Sequence, residues 1–424
     1  MKVEYTEETS VRKALSFEIE PEVVEKEIEA RARDYARKVK IPGFRPGKIP
    51  PEVIRKRFRS QVLEDVAERI VNRVVFDELE GRGLRPLASP KVTDLKIDEN
   101  QPMTFRAVFE TLPLIELPDY HGLPIKARRA LVTEVDVDQE VDRLREQAAR
   151  YEPVEGRPAA TGDFVVIDVA WRPDGGGKPG RDENAMIEVG GADNHQDLNE
   201  ALVGMSPGET KDVRLTYPED HPTESLKGRT MDYTVTVKAI KSKIVPAADD
   251  EFAKDLDFDD LPSLREDVRR KLLAVEERKI DREVKSALVE ALVERASFEV
   301  PEALVERHMS VRTENAARTL AYQGIDPGKI GMDWRRYRDA QRDDSVKAAK
   351  GDILLEEVAR REAVEALDTE VDAELGRLAE RFKKSKEALR LQMEKEGDLD
   401  ALRARIREEK TLDLLKANAR LDFE

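Results

Sequence analysis

The chain has 424 residues, enough for roughly two to four domains, since single cores seldom grow past about 250 residues. Charged residues make up 39% of it and aromatics 5%, a balance suited to long solvent-bathed helices and ill suited to a densely packed catalytic core. A net charge of −16 excludes a general nucleic-acid binder, because neutralising phosphates needs a basic face, and the lack of cysteine excludes disulfides, thiolate chemistry and cysteine-ligated metal.

Residues 11–20 alternate, with Leu15, Phe17 and Ile19 on one face, which predicts a strand. A helix follows from Pro21, a residue tolerated in the first turn, with Val24, Ile28, Ala32, Tyr35 and Val39 at steps of three and four. Next comes "IPGFRPGKIPP", Ile41 to Pro51, which reads as a loop tip carrying one phenylalanine between two glycines. Pro51 opens a second helix in which Ile54, Phe58, Val62, Val66 and Ile70 repeat every four residues, so the two helices are expected to pack as a hairpin. Two strands around a turn at Asp98 to Asn100 then place Met103, Phe105, Ala107 and Phe109 on one face. Residues 1–112 are thus expected to form a small α+β domain.

An extended linker and a connector helix, with Val137, Val141, Leu144 and Ala148 on one face, are expected over 113–158. From "TGDFVVIDVAWRPDGGGKPG" the composition changes to strands, glycine-rich turns and one short helix, "QDLNEALVGM", giving a mostly antiparallel β domain over 159–244. Residues 245–424 read as five or so long helices. Capping boxes are expected at Ser263 with Glu266 and at Thr369 with Asp372, and breaks at "QGIDPGKIGMDW" and "EKEGDLDA". The fold class expected is therefore multidomain α+β, ending in a long helical body with arms.

Between residues 31 and 59 stand Arg31, Arg33, Arg37, Lys38, Lys40, Arg45, Lys48, Arg55, Lys56, Arg57 and Arg59, against Asp34 and Glu52 alone. In an acidic chain this is a concentrated positive tip, drawn to a polyanionic surface such as rRNA with salt-sensitive affinity. Phe44 can serve there as an apolar anchor and Arg45 as a planar fork for a carboxylate or phosphate. The blander alternative is a solvated basic face with Phe44 capping the hairpin. His121, His195, His221 and His308 lack ligand-like spacing, so no metal and no cofactor is expected, and no GxxxxGK[ST] phosphate loop occurs. The start has no apolar signal region and no run approaches the roughly 20 apolar residues of a spanning helix, so a cytoplasmic protein without membrane contact is expected.

In this domain order, the motif Gly43-Phe44-Arg45-Pro46-Gly47-Lys48 resembles the ribosome-docking loop of the trigger factor family of bacterial chaperones, with Pro46 where lysine is common. "TGDFVVIDV" and "PEDHPTESLKGR" are similar to stretches of that family's FKBP-like domain. The resemblance implies an ATP-independent chaperone whose docking loop meets a tunnel-exit protein and rRNA of the large ribosomal subunit. Its helical arms would form a cradle for nascent and unfolded polypeptides through dispersed apolar contacts, although single residues such as Leu292 and Met309 are more often core. It leaves open a homodimer of ribosome-free molecules, with the head tucked into the cradle. It also implies a peptidyl-prolyl isomerase domain, which lowers the barrier to rotation by holding the prolyl ring in an apolar aromatic pocket. The family's pocket falls on Val169, Ala185, Leu198, His221 and Tyr233, of which Tyr233 alone keeps the expected ring, so weakened activity is expected. The alternative is prolyl isomerisation as the main activity, with the other domains delivering substrate.

Overall fold

The alternating start of the chain folds into β1 (Lys2–Glu7) and β2 (Arg12–Ile19), followed by α1 (Pro21–Lys38), α2 (Pro51–Arg57) and α3 (Arg59–Gly81), then β3 (Lys91–Lys96), β4 (Met103–Glu110) and β5 (Pro124–Ala127). This computed structural model describes every residue except 40, 41, 43, 45–48, 175, 177, 221–225 and 424. β1–β4 form one antiparallel sheet in the order β1-β2-β4-β3. Leu15, Phe17 and Ile19 of β2 and Met103, Phe105, Ala107 and Phe109 of β4 are buried, as their alternation requires, and Phe17 stacks on Phe105 with ring centroids 4.7 Å apart. Against that face lie Val24, Ile28 and Ala32 of α1 and Val62, Val66 and Ile70 of α3, each large side chain contributing about 2 kcal/mol by leaving water. Asn100 supplies the left-handed residue of the expected turn, with φ 58°.

One expected helix is broken. Phe58 leaves the helical region (φ −118°, ψ 32°), separating α2 from α3, while its N–H still bonds the Ile54 carbonyl and its carbonyl accepts from Val62. The periodicity survives because Ile54, Phe58 and Val62 all still face the same core, in which Phe58 lies 6.3 Å from Tyr35.

Further along are α4 (Glu134–Gln147), β6 (Arg150–Pro153), β7 (Asp163–Pro173), β8 (Gly180–Glu188), α5 (Gln196–Leu202), β9 (Thr210–Thr216), β10 (Thr230–Ile244), α6 (Asp250–Asp255) and α7 (Leu261–Arg295). The strands form one antiparallel sheet in which the 15-residue β10 pairs β7 along one edge and β9 and β6 along the other, with β8 outside β7. Val165, Ile167, Val235 and Val237 pack with Leu202 and Met205 in its core. A separate apolar cluster joins Val137 and Val141 of α4 to Phe252, Leu264 and Val268. The cap of α7 lies three residues before the expected one. Asp260 accepts from the Ser263 N–H (2.9 Å) and its own N–H donates to Ser263 Oγ (3.2 Å), so Ser263 occupies the third helical position.

The remainder comprises α8 (Glu302–Tyr322), α9 (Trp334–Ala340), α10 (Arg342–Arg361), α11 (Asp368–Phe382), α12 (Lys386–Glu396), α13 (Asp398–Asn418) and β11 (Arg420–Phe423), which pairs with β5 in parallel. The body is thus cut more finely than five helices. Left-handed Lys383 (φ 53°) and Gly397 (φ 78°) end α11 and α12, and α8 stops before the expected break at 323–334, whose last residue, Trp334, already opens α9. The second expected capping box also sits earlier: Glu370 accepts from the Leu367 N–H at 2.8 Å, while Asp372 faces Lys386 and Arg390. Leu292 and Met309 are buried, as apolar stripes on packed helices usually are. At Gly351, α10 meets α7 so closely that an added Cβ would lie 2.7 Å from Val289 Cγ1. Nearby, Lys350 Nζ donates to the Val293 and Ala296 carbonyls at 2.9 and 2.6 Å, capping the end of α7.

Two compact units result, residues 1–128 with 281–424 and residues 129–280. No helix among the described residues is long and apolar enough to cross a membrane.

Candidate functional site

At the end of α1 and the start of α2 the sequence motif meets the structure in part. Phe44 is 39% exposed, while Ile49 and Ile54 just beyond it are buried in the head core. Gly43, Arg45, Pro46, Gly47 and Lys48 lie outside the described residues, as does Lys40. The basic cluster divides. Arg55 is bound by Glu25 (2.9 Å) and Glu99 (3.1 Å), Arg59 by Asp98, and Arg33 by Glu29 (2.9 Å). Those acids come from the first half of α1 and from the β3–β4 turn, outside the stretch whose charge the sequence displays as nearly all positive. Arg37, Lys38, Lys56 and Arg57 are exposed and form no ion pair among the described residues. These four carry the positive field toward solvent.

A second site lies in the unit of residues 129–280. A cleft of about 490 Å³ opens over one end of the sheet. β7 contributes Ile167 and Val169, β8 Ile187, α5 Leu198, the end of β9 Leu215 and Tyr217, and β10 Tyr233. Of the site residues named from sequence, Val169, Leu198 and Tyr233 come together here; Ala185 packs in the adjoining core, and His221 lies outside the described residues.

Sequence reasoning missed Tyr217. Its hydroxyl lies 2.9 Å from that of Tyr233, and the His195 ring meets it edge-on at 5.7 Å. Tyr233 is paired across the sheet with Trp171, their rings 6.5 Å apart. Trp171 lies over Gly180, where a Cβ would fall 2.2 Å from its ring, so only glycine allows this placement. The cleft is therefore richer in rings than the family positions alone suggest. The signal was present in "LTYPED": the residue after an alternating strand turns inward where the chain leaves the sheet. Burial, and then the hydrogen bond with Tyr233, push the Tyr217 phenol well above its ordinary range, so it stays protonated at any working pH. His195 is committed locally, with Nδ1 accepting from the Asp197 N–H (3.3 Å) and Nε2 3.2 Å from the Thr216 carbonyl.

The helical part of the other unit carries a third concavity, about 650 Å³, with Val289, Val293, Leu355 and Leu412 at its floor. Arg282, Glu294, Arg312 and Asp344 are among the charges of both signs around it. Beyond the cleft, Val311 and Tyr322 of α8, Phe382 of α11 and Leu391 of α12 are all around half exposed or more, so apolar contact area is dispersed over three helices of a charged frame. No cluster of metal-ligating side chains occurs among the described residues.

Comparison with known proteins agrees with this arrangement. The family model described as bacterial trigger factor protein (TF) matches residues 1–144, and that of its C-terminus matches residues 260–417. A trigger factor of Solibacter usitatus is 35% identical over 387 residues, covering 91% of this chain and 92% of the relative. One of Koribacter versatilis is 34% identical over 393 residues, covering 92% and 90%. A solved structure from work on promiscuous substrate recognition in folding and assembly by the trigger factor chaperone aligns over 98% of this chain and 99% of its own, with a TM-score of 0.52 at 22% identity, and so shares the fold. With relatives at this identity over nine-tenths of its length, the chain belongs to the trigger factor family.

Proposed function

We propose that this protein is an ATP-independent, ribosome-associated chaperone that holds nascent and unfolded polypeptides in a folding-competent state. In this reading residues 1–112 form the ribosome-binding head, 113–158 the linker, 159–244 an FKBP-type isomerase domain and 245–424 the chaperone body. The docking contact is Gly43, Phe44, Arg45, Pro46, Gly47 and Lys48, directed at a tunnel-exit protein and adjacent rRNA in the cytoplasm. The observation that carries it is an exposed Phe44 in the same stretch of chain as Arg37, Lys38, Lys56 and Arg57, which are exposed and form no ion pair among the described residues, on a chain whose net charge is −16. An apolar anchor in a positive field suits an anionic particle with an apolar pocket, and the field gives orientation and on-rate. Pro46 removes a charge and stiffens the turn, which retains docking and lessens its salt dependence.

Val169, Leu198 and Tyr233 of the cleft, with His221 added from its family position alone, are read as the prolyl site, with activity weakened because aliphatic walls at Val169 and Leu198 replace rings. The charged frame with scattered apolar side chains supports a sequence-tolerant client surface. A second reading, prolyl isomerisation as the main activity, draws support from the Tyr217–Tyr233 pair. Cosedimentation with 70S ribosomes tests the first reading: wild type is expected to pellet with ribosomes, and the Phe44→Ala, Arg45→Ala, Pro46→Ala triple variant to remain in the supernatant. Equal pelleting of the two proteins refutes the docking assignment.

A further inference from the structure

Arg55 belongs to the basic stretch around Phe44, yet its charge is committed within the head. Its guanidinium fork spans two carboxylates: Nη2 donates to Glu25 Oε2 at 2.9 Å and to Glu99 Oε2 at 3.1 Å, and Nε reaches Glu99 Oε1 at 3.4 Å. Glu25 of α1 also accepts from the Asn100 N–H at 2.8 Å, and Asp98 of the same turn is bound by Arg59 at the start of α3. The side chains of Arg55, Glu25 and Glu99 are only 21–30% exposed, so water and salt screen them less than surface pairs. What this network holds is α2. Seven residues make a helix about 10 Å long, too short to be stable by itself, and Phe58 separates it from α3. Of its side chains Ile54 alone is fully buried, with Val53 partly packed beside it. One apolar anchor fixes where α2 sits and leaves its rotation about that anchor open. The Arg55 fork, next to Ile54 and reaching both α1 and the β3–β4 turn, removes that freedom.

In sequence α2 follows directly on the motif of residues 43–48, through buried Ile49 and extended Pro50, so the direction of α2 sets where the motif rejoins the head. We propose that Arg55 is a positioning residue for docking: held by Glu25 and Glu99, it orients α2 and so presents Phe44 together with Lys56 and Arg57, without itself touching the docking partner. Lys56 and Arg57, the next two residues of the same helix, are exposed and form no ion pair among the described residues, and they are the contact cations for an anionic surface such as rRNA phosphates. This assignment rests on the reading of residues 43–48 as a ribosome-docking loop. The two roles differ in what they do to binding. When only a fraction of molecules holds α2 in the docking orientation, the apparent affinity falls by that fraction. A contact cation instead adds about 0.7–0.9 to the slope of log K against log salt for each phosphate it neutralises. The fork of arginine matters to the first role, and its charge alone to the second.

The test measures the affinity of the full chain for 70S ribosomes by cosedimentation over a series of salt concentrations, at a temperature where each variant keeps the far-UV circular dichroism of the wild type. Arg55→Met is expected to bind about five- to tenfold more weakly with an unchanged salt slope, and Arg55→Lys, which keeps the charge and loses the fork, about two- to threefold more weakly. The decisive variant is Glu25→Gln with Glu99→Gln. It frees Arg55 and removes two negative charges from the head, so a contact role for Arg55 requires tighter binding and a steeper slope. The positioning role requires binding about five- to tenfold weaker at the wild-type slope. Lys56→Ala with Arg57→Ala is expected to make the slope shallower by about 1.4–1.8, and an unchanged slope overturns their assignment as contact cations. Tighter binding by the double glutamine variant, or a shallower slope for Arg55→Met, overturns the positioning role, as does wild-type affinity in both. Should Arg55→Met not fold, the double glutamine and Arg55→Lys variants decide by the same criteria. Wild-type pelleting of the Phe44→Ala, Arg45→Ala, Pro46→Ala variant, whatever the Arg55 series shows, overturns instead the docking reading beneath.

Discussion

Asp163 opens β7 at 5% exposure, and its carboxylate gathers three donors: Arg157 Nη1 at 2.5 Å, Arg157 Nη2 at 2.9 Å and the Ala160 N–H at 2.9 Å. Replacing it by asparagine keeps the shape but turns an amide NH₂ toward groups that themselves donate. Breaking a buried pair costs about 3–5 kcal/mol. Here the Arg157 side chain is 45% exposed and can rehydrate, which reduces the expected loss to about 2 kcal/mol. In a unit of this size that is a fall of about 4–8 °C in melting temperature. The loss depends on pH with a definite sign. The Arg157 guanidinium holds the Asp163 carboxyl below its usual range, burial opposes it and the Ala160 N–H assists. A lowered folded pKa means that the stabilisation is complete above the unfolded value of about 3.9 and disappears as pH falls through the lower folded value. Urea unfolding followed by Trp171 fluorescence, in a Trp334→Phe background, should therefore give Asp163→Asn an earlier midpoint at pH 7 and a gap that closes below about pH 4. Equal midpoints at pH 7, or a gap unchanged at pH 3, would refute the attribution to this ion pair.

Gly351→Ala places a methyl 2.7 Å from Val289 Cγ1; overpacking of about 1–3 kcal/mol is partly offset by about 1 kcal/mol of helix propensity. The net destabilisation, about 1 kcal/mol, should appear as an earlier urea midpoint by Trp334 fluorescence in a Trp171→Phe background; an unmoved midpoint would show that the contact between α7 and α10 yields freely. Deleting residues 420–424 removes β11, and with it the bond from the Arg420 N–H to the Leu123 carbonyl and the parallel pairing with β5. Amide exchange over 122–127 should accelerate by a factor on the order of ten or more, with α13 still protected, and unchanged protection of β5 would mean that packing of Leu123 and Ile125 alone holds it.

Periodicity served well wherever one face of an element is buried. β2, β4 and α1 were legible because Leu15, Phe105 and Ile28 recur at the spacing that a sheet or helix needs to cover one core. Exposed β3 was legible only through the turn that joins it to β4, and other elements without such a face were not. β1 turns only Val3 and Tyr5 inward, and β5, β6 and β11 are four residues each, formed because another strand lies beside them. The same limit applies to the caps. Ser263 and Thr369 have the right chemistry for a helix start, yet Asp260 and Leu367 take the position, since where a helix begins depends on what the preceding turn packs against.

From residues alone came the multidomain α+β order, the helix starts at Pro21 and Pro51, the stops near 323 and at Gly397, and the basic tip around Phe44. These are local properties: proline and glycine act on their own backbone, and a charge is present wherever the chain goes. Tertiary structure decided which charges remain active and which rings meet. Glu25, Asp98 and Glu99 withdraw Arg55 and Arg59 from the tip by folding back upon it. Tyr217 joins Tyr233 across 16 residues because β9 and β10 pair in one register. Pairings of this kind depend on distances between segments that only a folded chain brings together.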